Sequence, residues 1–229
     1  KDKGVFMSGF PISAIDKYTE MLLKHGYTVL VYDQLPSKAG KKKRELSYIV
    51  SPGINHVSAY DESTLRNYCT SIFVSFQNEL YTGCVCGVDV NTGDVFVYEQ
   101  KHSHLDTLIG DMYKIIHTFN PLECILIQKS TSEFDYLPIL ESFEISNIKI
   151  HIKTCLSLDD SILHINSFYE RNSSSMCKPI NDLEGLNLSI QSLSILLMFV
   201  FEIDPILVSY LKPPEILSSD TYLCLFNNA

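Results

Sequence analysis

Apolar residues fall into several distinct rhythms along this chain. Ile12, Ile15, Tyr18 and Leu22 recur at the spacing of one helical face. Pro11, Ser13 and Asp16 supply start signals, with Ser13 and Asp16 resembling a capping box, and Gly26 supplies a stop. Residues 27–33 and 44–52 then read as strands, joined by a polar turn over 35–43. Residues 52–64 read as a linker.

A second block begins with period-2 and continuous apolar runs. Three strands are expected at 71–77, 81–90 and 94–99, with Asn91, Thr92 and Gly93 forming the second turn. Leu105, Leu108, Ile109, Met112, Ile115, Ile116 and Phe119 share one helical face, which Asn120-Pro121 ends. Residues 122–128 form a short apolar strand of the parallel, buried kind. A helix over 133–143, interrupted by Pro138, and a strand over 147–154 follow. Residues 169–179 read as a loop, and 186–203 as a long apolar helix. Hairpin strands followed by alternating helices and strands predict an α/β fold.

The longest apolar run, residues 193–201, is far short of the roughly 20 residues of a membrane span. A soluble, intracellular protein with no membrane partner is expected. The 229 residues can bury a sizeable core. Seven cysteines include a C-x-C at Cys84 and Cys86 but no C-x-x-C. Such spacing suits buried free thiols in a reducing compartment better than zinc.

Charge divides the chain. Residues 1–60 carry nine Lys/Arg against five Asp/Glu, a net of +4; the remainder carries nine against twenty-two, a net of −13. A basic head on an acidic body suggests two modules with different partners. Lys38, Lys41, Lys42, Lys43 and Arg44 crowd one predicted hairpin and are candidates for duplex phosphate contacts. Asp89 at a strand end, with Glu123, Asp159 and Asp160, could supply carboxylates for a two-metal nuclease. The competing reading is that Asp89 and Asp94 stabilise their turn. Phosphate-binding G-x-x-x-x-G-K-[ST] and H-E-x-x-H motifs are absent from the sequence.

The stretch VFMSGFPISAIDKYTEMLLKHGYTVLVYDQ resembles the second half of the mismatch-recognition domain of the MutS mismatch-repair family. Met7, Gly9, Pro11, Tyr18, Gly26, Tyr27, Val29, Val31, Asp33 and Gln34 carry the match, and RELSYIVSPG resembles the strand that leaves that domain. More loosely, YTGCVCGVDVNTGDVFVYE and HTFNPLECILIQ resemble the connector domain, and YLCLFNNA the entry to the core and lever. Ser8 and Asp33 depart from the commoner residues, and the KKKR run is more basic than usual. The composition suggests an AT-rich genome, as in a viral or organelle-type MutS.

The resemblance implies three parts. Residues 1–56 would be the C-terminal part of a mixed α/β mismatch-recognition domain, 57–184 an RNase H-like connector, and 185–229 the end of the connector and the helical start of the core. The chain is then expected to be a fragment, cut at both ends, that is not itself catalytic. It would lack the aromatic wedge and bind no cofactor or metal, while ATP and Mg would act in the full-length parent. Mispaired duplex DNA, a MutL-like protein and a second MutS-type subunit are the implied partners. Met7 joins the five cations as a candidate near the DNA backbone. An RNase H-like nuclease or resolvase, and an acidic protein-interaction adaptor, are the alternatives.

Overall fold

The computed structural model describes residues 9–35, 43–55, 67–129, 137–144, 148–170 and 179–218. A 3-10 turn at Ile12–Ala14 leads into α1 (Ile15–Lys24). Ser13 lies inside that turn, and no side chain caps α1, so the expected capping box does not form. Gly26 takes φ +79 just after the helix, as a left-handed stop requires. β1 (Val29–Leu35) and β2 (Lys43–Val50) then pair antiparallel as a separate two-stranded sheet.

The body is a six-stranded sheet of order β7-β6-β3-β4-β5-β8. Its first three strands, β3 (Tyr68–Gln77), β4 (Leu80–Asp89) and β5 (Asp94–His102), form an antiparallel meander. Helix α2 (Leu105–Phe119) crosses over to β6 (Glu123–Gln128), which pairs parallel to β3. Asn120 adopts φ 42 to close α2, as its Asn-Pro signal predicts. After α3 (Leu137–Ser142), β7 (Lys149–Thr154) adds parallel to β6.

Two helical layers cover this sheet. Against one face, α2 and α3 pack Leu108, Met112, Ile115, Ile116, Ile139 and Phe143 onto Ile72, Val85, Tyr98 and Leu126. The other face carries α4 (Leu158–Glu170) and α6 (Asn187–Ile203), with α5 (Pro179–Asp182) between them in sequence. Strand β6 is buried nearly throughout, which explains why it reads as an unbroken apolar run. Small residues let α6 come close to the sheet: Ser71 Oγ lies 2.8 Å from Ser192 Oγ. Glu99 on β5 accepts the Ser189 N–H at 2.8 Å, so a carboxylate from the sheet caps the first turn of α6.

Besides the short α5 and a 3-10 turn at Leu207–Tyr210, two elements were not expected from sequence. One is α4, which opens with a reciprocal cap. Ser157 Oγ donates to Asp160 at 2.6 Å, and the Asp160 N–H returns to Ser157 Oγ at 3.1 Å. The other is β8 (Glu215–Ile216), a two-residue strand parallel to β5. Among the described residues, no helix is long and apolar enough to cross a membrane.

Candidate functional site

The β1–β2 hairpin is where the basic candidates lie. Met7, Lys38, Lys41 and Lys42 are outside the described residues. Lys43 opens β2 opposite Leu35, and Arg44 follows opposite Gln34. Both are exposed, and Lys43 Nζ reaches Glu45 Oε1 at 2.6 Å. Strand alternation puts Lys43 and Glu45 on one face and Arg44 on the other. A register shift between Val31 and Tyr32 pairs Tyr32 with Leu46, so Arg44, Leu46, Tyr32 and Leu30 share a face. The opposite face meets α1. There the Tyr48 hydroxyl is pushed above its ordinary pKa by burial first, then by the nearby carboxylates of Asp16 and Asp33. Arg44 therefore projects from the side of the hairpin away from the helix.

How the hairpin is mounted was not foreseen. Residues 51–55 do not behave as a linker: Ser51, Pro52, Gly53, Ile54 and Asn55 are all buried. Ser51 and Ile54 exchange backbone hydrogen bonds of 3.0 and 3.2 Å, closing a tight turn. Below it sits the fully buried carboxylate of Glu123, the first residue of β6. Glu123 Oε2 accepts the Ser51 hydroxyl at 2.5 Å and the Gly53 N–H at 3.0 Å. Glu123 Oε1 accepts from His151 Nε2 of β7 at 2.6 Å. Direct strand neighbours are Glu123 and Lys149, and Lys149 Nζ donates to Thr28 Oγ1, just before β1, at 2.5 Å. A buried carboxylate is costly unless every lone pair finds a donor, and here three groups supply donors.

Gly53 is dictated by this approach. A Cβ there would lie 2.7 Å from the Cβ of Glu123 and 3.0 Å from that of Cys69. The sequence motifs S-P-G and N-P-L-E each stand out separately. Only the sheet, which sets Cys69 opposite Glu123, brings them together.

The four carboxylates considered for a two-metal site are not assembled. Asp89 pairs with Tyr68 and Glu123 with Cys69. Tyr68 and Cys69 are successive residues of β3, so the two acids point to opposite faces of the sheet. Asp89 Oδ1 accepts the Asn91 N–H at 2.9 Å, a turn-stabilising role. Asp160 caps α4, and Asp159 lies in the same first turn. The central strand β3 carries no acidic residue. Among the described residues, no group of three or more His, Cys, Asp or Glu is disposed to hold a metal ion.

Strands β3 to β7 form an antiparallel meander with two parallel additions beside its first strand. That is the RNase H-like arrangement expected from the sequence. Residues 1–58 match the family described as MutS domain I. The chain is 27% identical over 227 residues to the DNA mismatch repair protein MutS of Caldanaerobacter subterraneus, covering 97% of this chain and 24% of that protein. It is 26% identical over 266 residues to a putative DNA mismatch repair protein mutS homolog of Acanthamoeba polyphaga mimivirus, covering 96% of this chain and 22% of that one. Among solved structures, it is similar to the fowlpox virus Holliday junction resolvase, with a TM-score of 0.40 and 12% identity over 59% of this chain and 99% of that chain. The chain thus spans about a quarter of the length of these two curated relatives. Its first 58 residues, and at 26–27% identity nearly its whole length, are thus similar to DNA mismatch-repair proteins of the MutS family.

Proposed function

We propose that this chain supplies the back of the DNA-reading module and the connector of a MutS-type protein that binds mispaired duplex DNA. One observation carries the reading: a basic hairpin stands on an acidic α/β body and is fixed to it at its base by a buried carboxylate. Duplex phosphates are the natural partner of the cations that lie between β1 and β2 in sequence and along β2. Met7 precedes the same module and takes a place near the DNA backbone. Lys38, Lys41, Lys42, Lys43 and Arg44 contribute sequence-independent attraction. The acidic body suits a protein partner of MutL type, and the whole protein works with a second MutS-type subunit. ATP and Mg act elsewhere in the whole protein, since this sequence has no phosphate-binding loop. The chain's own part is to transmit the hairpin's position to the rest of the molecule.

The test is duplex binding across a salt series. Replacing Lys43 and Arg44 with Ala is expected to flatten the plot of log affinity against log salt by about 0.9 per lost phosphate contact. An unchanged slope in both variants would remove these residues from the interface.

A further inference from the structure

We propose that Glu123 is a positioning residue whose junction with Ser51, Gly53 and His151 is coupled to duplex binding by the hairpin. This rests on the reading that the hairpin contacts duplex DNA. Beyond its base the hairpin is exposed along most of both strands. Its orientation is therefore set where it enters the body. At that entrance one carboxylate takes two donors from the departing chain and one from the far side of β6. The two oxygens divide the work: Oε2 holds the N-terminal module and Oε1 holds the sheet edge. His151 in turn lies against Phe199 of α6, with ring centroids 4.8 Å apart. Displacing the turn thus withdraws donors from a buried charge whose other support touches α6, in the helical layer on the same face of the sheet.

The geometry favours a two-position joint over a soft one. Gly53 has no room to slide, because its backbone already abuts Cys69 and Glu123. Three hydrogen bonds to one carboxylate are kept or lost largely together, since each lost donor raises the cost of burying the charge. Any duplex that prefers one orientation of the hairpin must then bias the junction. By linkage, the junction must bias duplex affinity by the same factor.

Ser51→Ala is the informative variant, because it removes one donor without adding bulk. Glu123→Gln is the second, keeping shape while offering one oxygen in place of two. Both are compared with the unaltered chain by hydrogen exchange, with and without a short mispaired duplex, and by duplex affinity across salt. In Ser51→Ala, exchange in residues 48–55 and 149–154 is expected to quicken by about tenfold or more. Exchange at the centre of β3 and β4 should stay unchanged. Duplex should slow exchange in both junction segments of the unaltered protein, and do so less in the variants. The variants should bind duplex about 3- to 10-fold more weakly with an unchanged salt slope, since no phosphate contact is lost. A purely structural role would not give weaker binding at constant slope. If duplex binds but leaves the junction segments unaffected, or if both variants bind with unaltered affinity, the coupling is overturned while the DNA-binding reading stands. If the unaltered chain binds no duplex, both readings fall.

Discussion

Gly93 offers the sharpest stability prediction. It closes the β4–β5 turn with φ +75, donating its N–H to Asp89 O at 2.8 Å. Its carbonyl accepts the Lys212 N–H at 2.8 Å, pinning the turn to the segment ahead of β8. Lys212 Nζ also reaches Asp94 at 2.7 Å, and Tyr169 donates to the Lys212 carbonyl at 2.9 Å. A Cβ at Gly93 would sit 2.6 Å from the carbonyl oxygen of Tyr210, a backbone atom that cannot simply rotate away. Alanine pays roughly 1–2 kcal/mol for the left-handed conformation. Relieving the clash by moving backbone adds about 1–3 kcal/mol. Gly93→Ala should therefore destabilise by about 2–5 kcal/mol, lowering the urea midpoint by about 1–2 M. The chain has no tryptophan, so far-UV circular dichroism is the convenient signal. Gly110 is the internal control. It lies exposed within α2, where an added Cβ meets nothing within 4 Å. Gly110→Ala should stabilise by about 0.5–1 kcal/mol. Equal effects at the two glycines would refute the reasoning from space and backbone angle.

Other consequences can be measured on the same protein. Burial holds the Glu99 carboxyl above its ordinary value, against the opposing pull of the α6 N–H groups. The folded state therefore favours its protonated form. The advantage is complete at low pH and is lost as pH rises from about 4 through the raised value. Glu99→Gln should abolish this slope, so its unfolding midpoint should gain on the unaltered protein as pH increases; parallel curves would be contrary. Cysteine labelling gives a further check. Cys69, Cys84, Cys86 and Cys124 are wholly buried, and burial pushes the Cys124 thiol up to about 12. Cys155 is only partly buried, so peptide mapping after mild alkylation should find it modified well before those four. Early modification of Cys84 or Cys124 would mean that the sheet opens readily.

Much of the body could be read from the chain because its signals are local. The α2 face and the β6 run each state their own burial, one at helical period and one as a continuous apolar strand. Helix α4 escaped because Asn166, Ser167 and the polar stretch after Tyr169 make its C-terminal half look like the start of a loop. Its apolar positions Ile165 and Phe168 are nonetheless buried. Strand β8 has two residues, too few for any periodic signal. The Ser13 cap failed because the preceding 3-10 turn absorbs Ser13 before α1 begins. The mounting of the hairpin was illegible for a deeper reason. Glu123 resembles any acid at a strand start until the parallel pairing of β3 and β6 brings Ser51 and Gly53 above it. Asp89 and Glu123 looked like partners in sequence for the same reason, since only strand register reveals that they face opposite ways.

The separations bridged by these contacts bear on how the molecule is made. The β3–β4–β5 meander joins residues close in sequence and can form as soon as it leaves the ribosome. Ser51 must wait for Glu123, 72 residues later, and Thr28 for Lys149, 121 residues later. At roughly 5–20 residues per second, the N-terminal hairpin emerges several seconds before its seat exists. During that interval Leu30, Tyr32 and Leu46, exposed among the described residues, stand on the β1–β2 ribbon without the body that will seat it. The same buried carboxylate that orients the module thus makes its docking a late step of synthesis. Chaperone dependence and pausing should concentrate in that window, before β6 and β7 arrive to receive the hairpin.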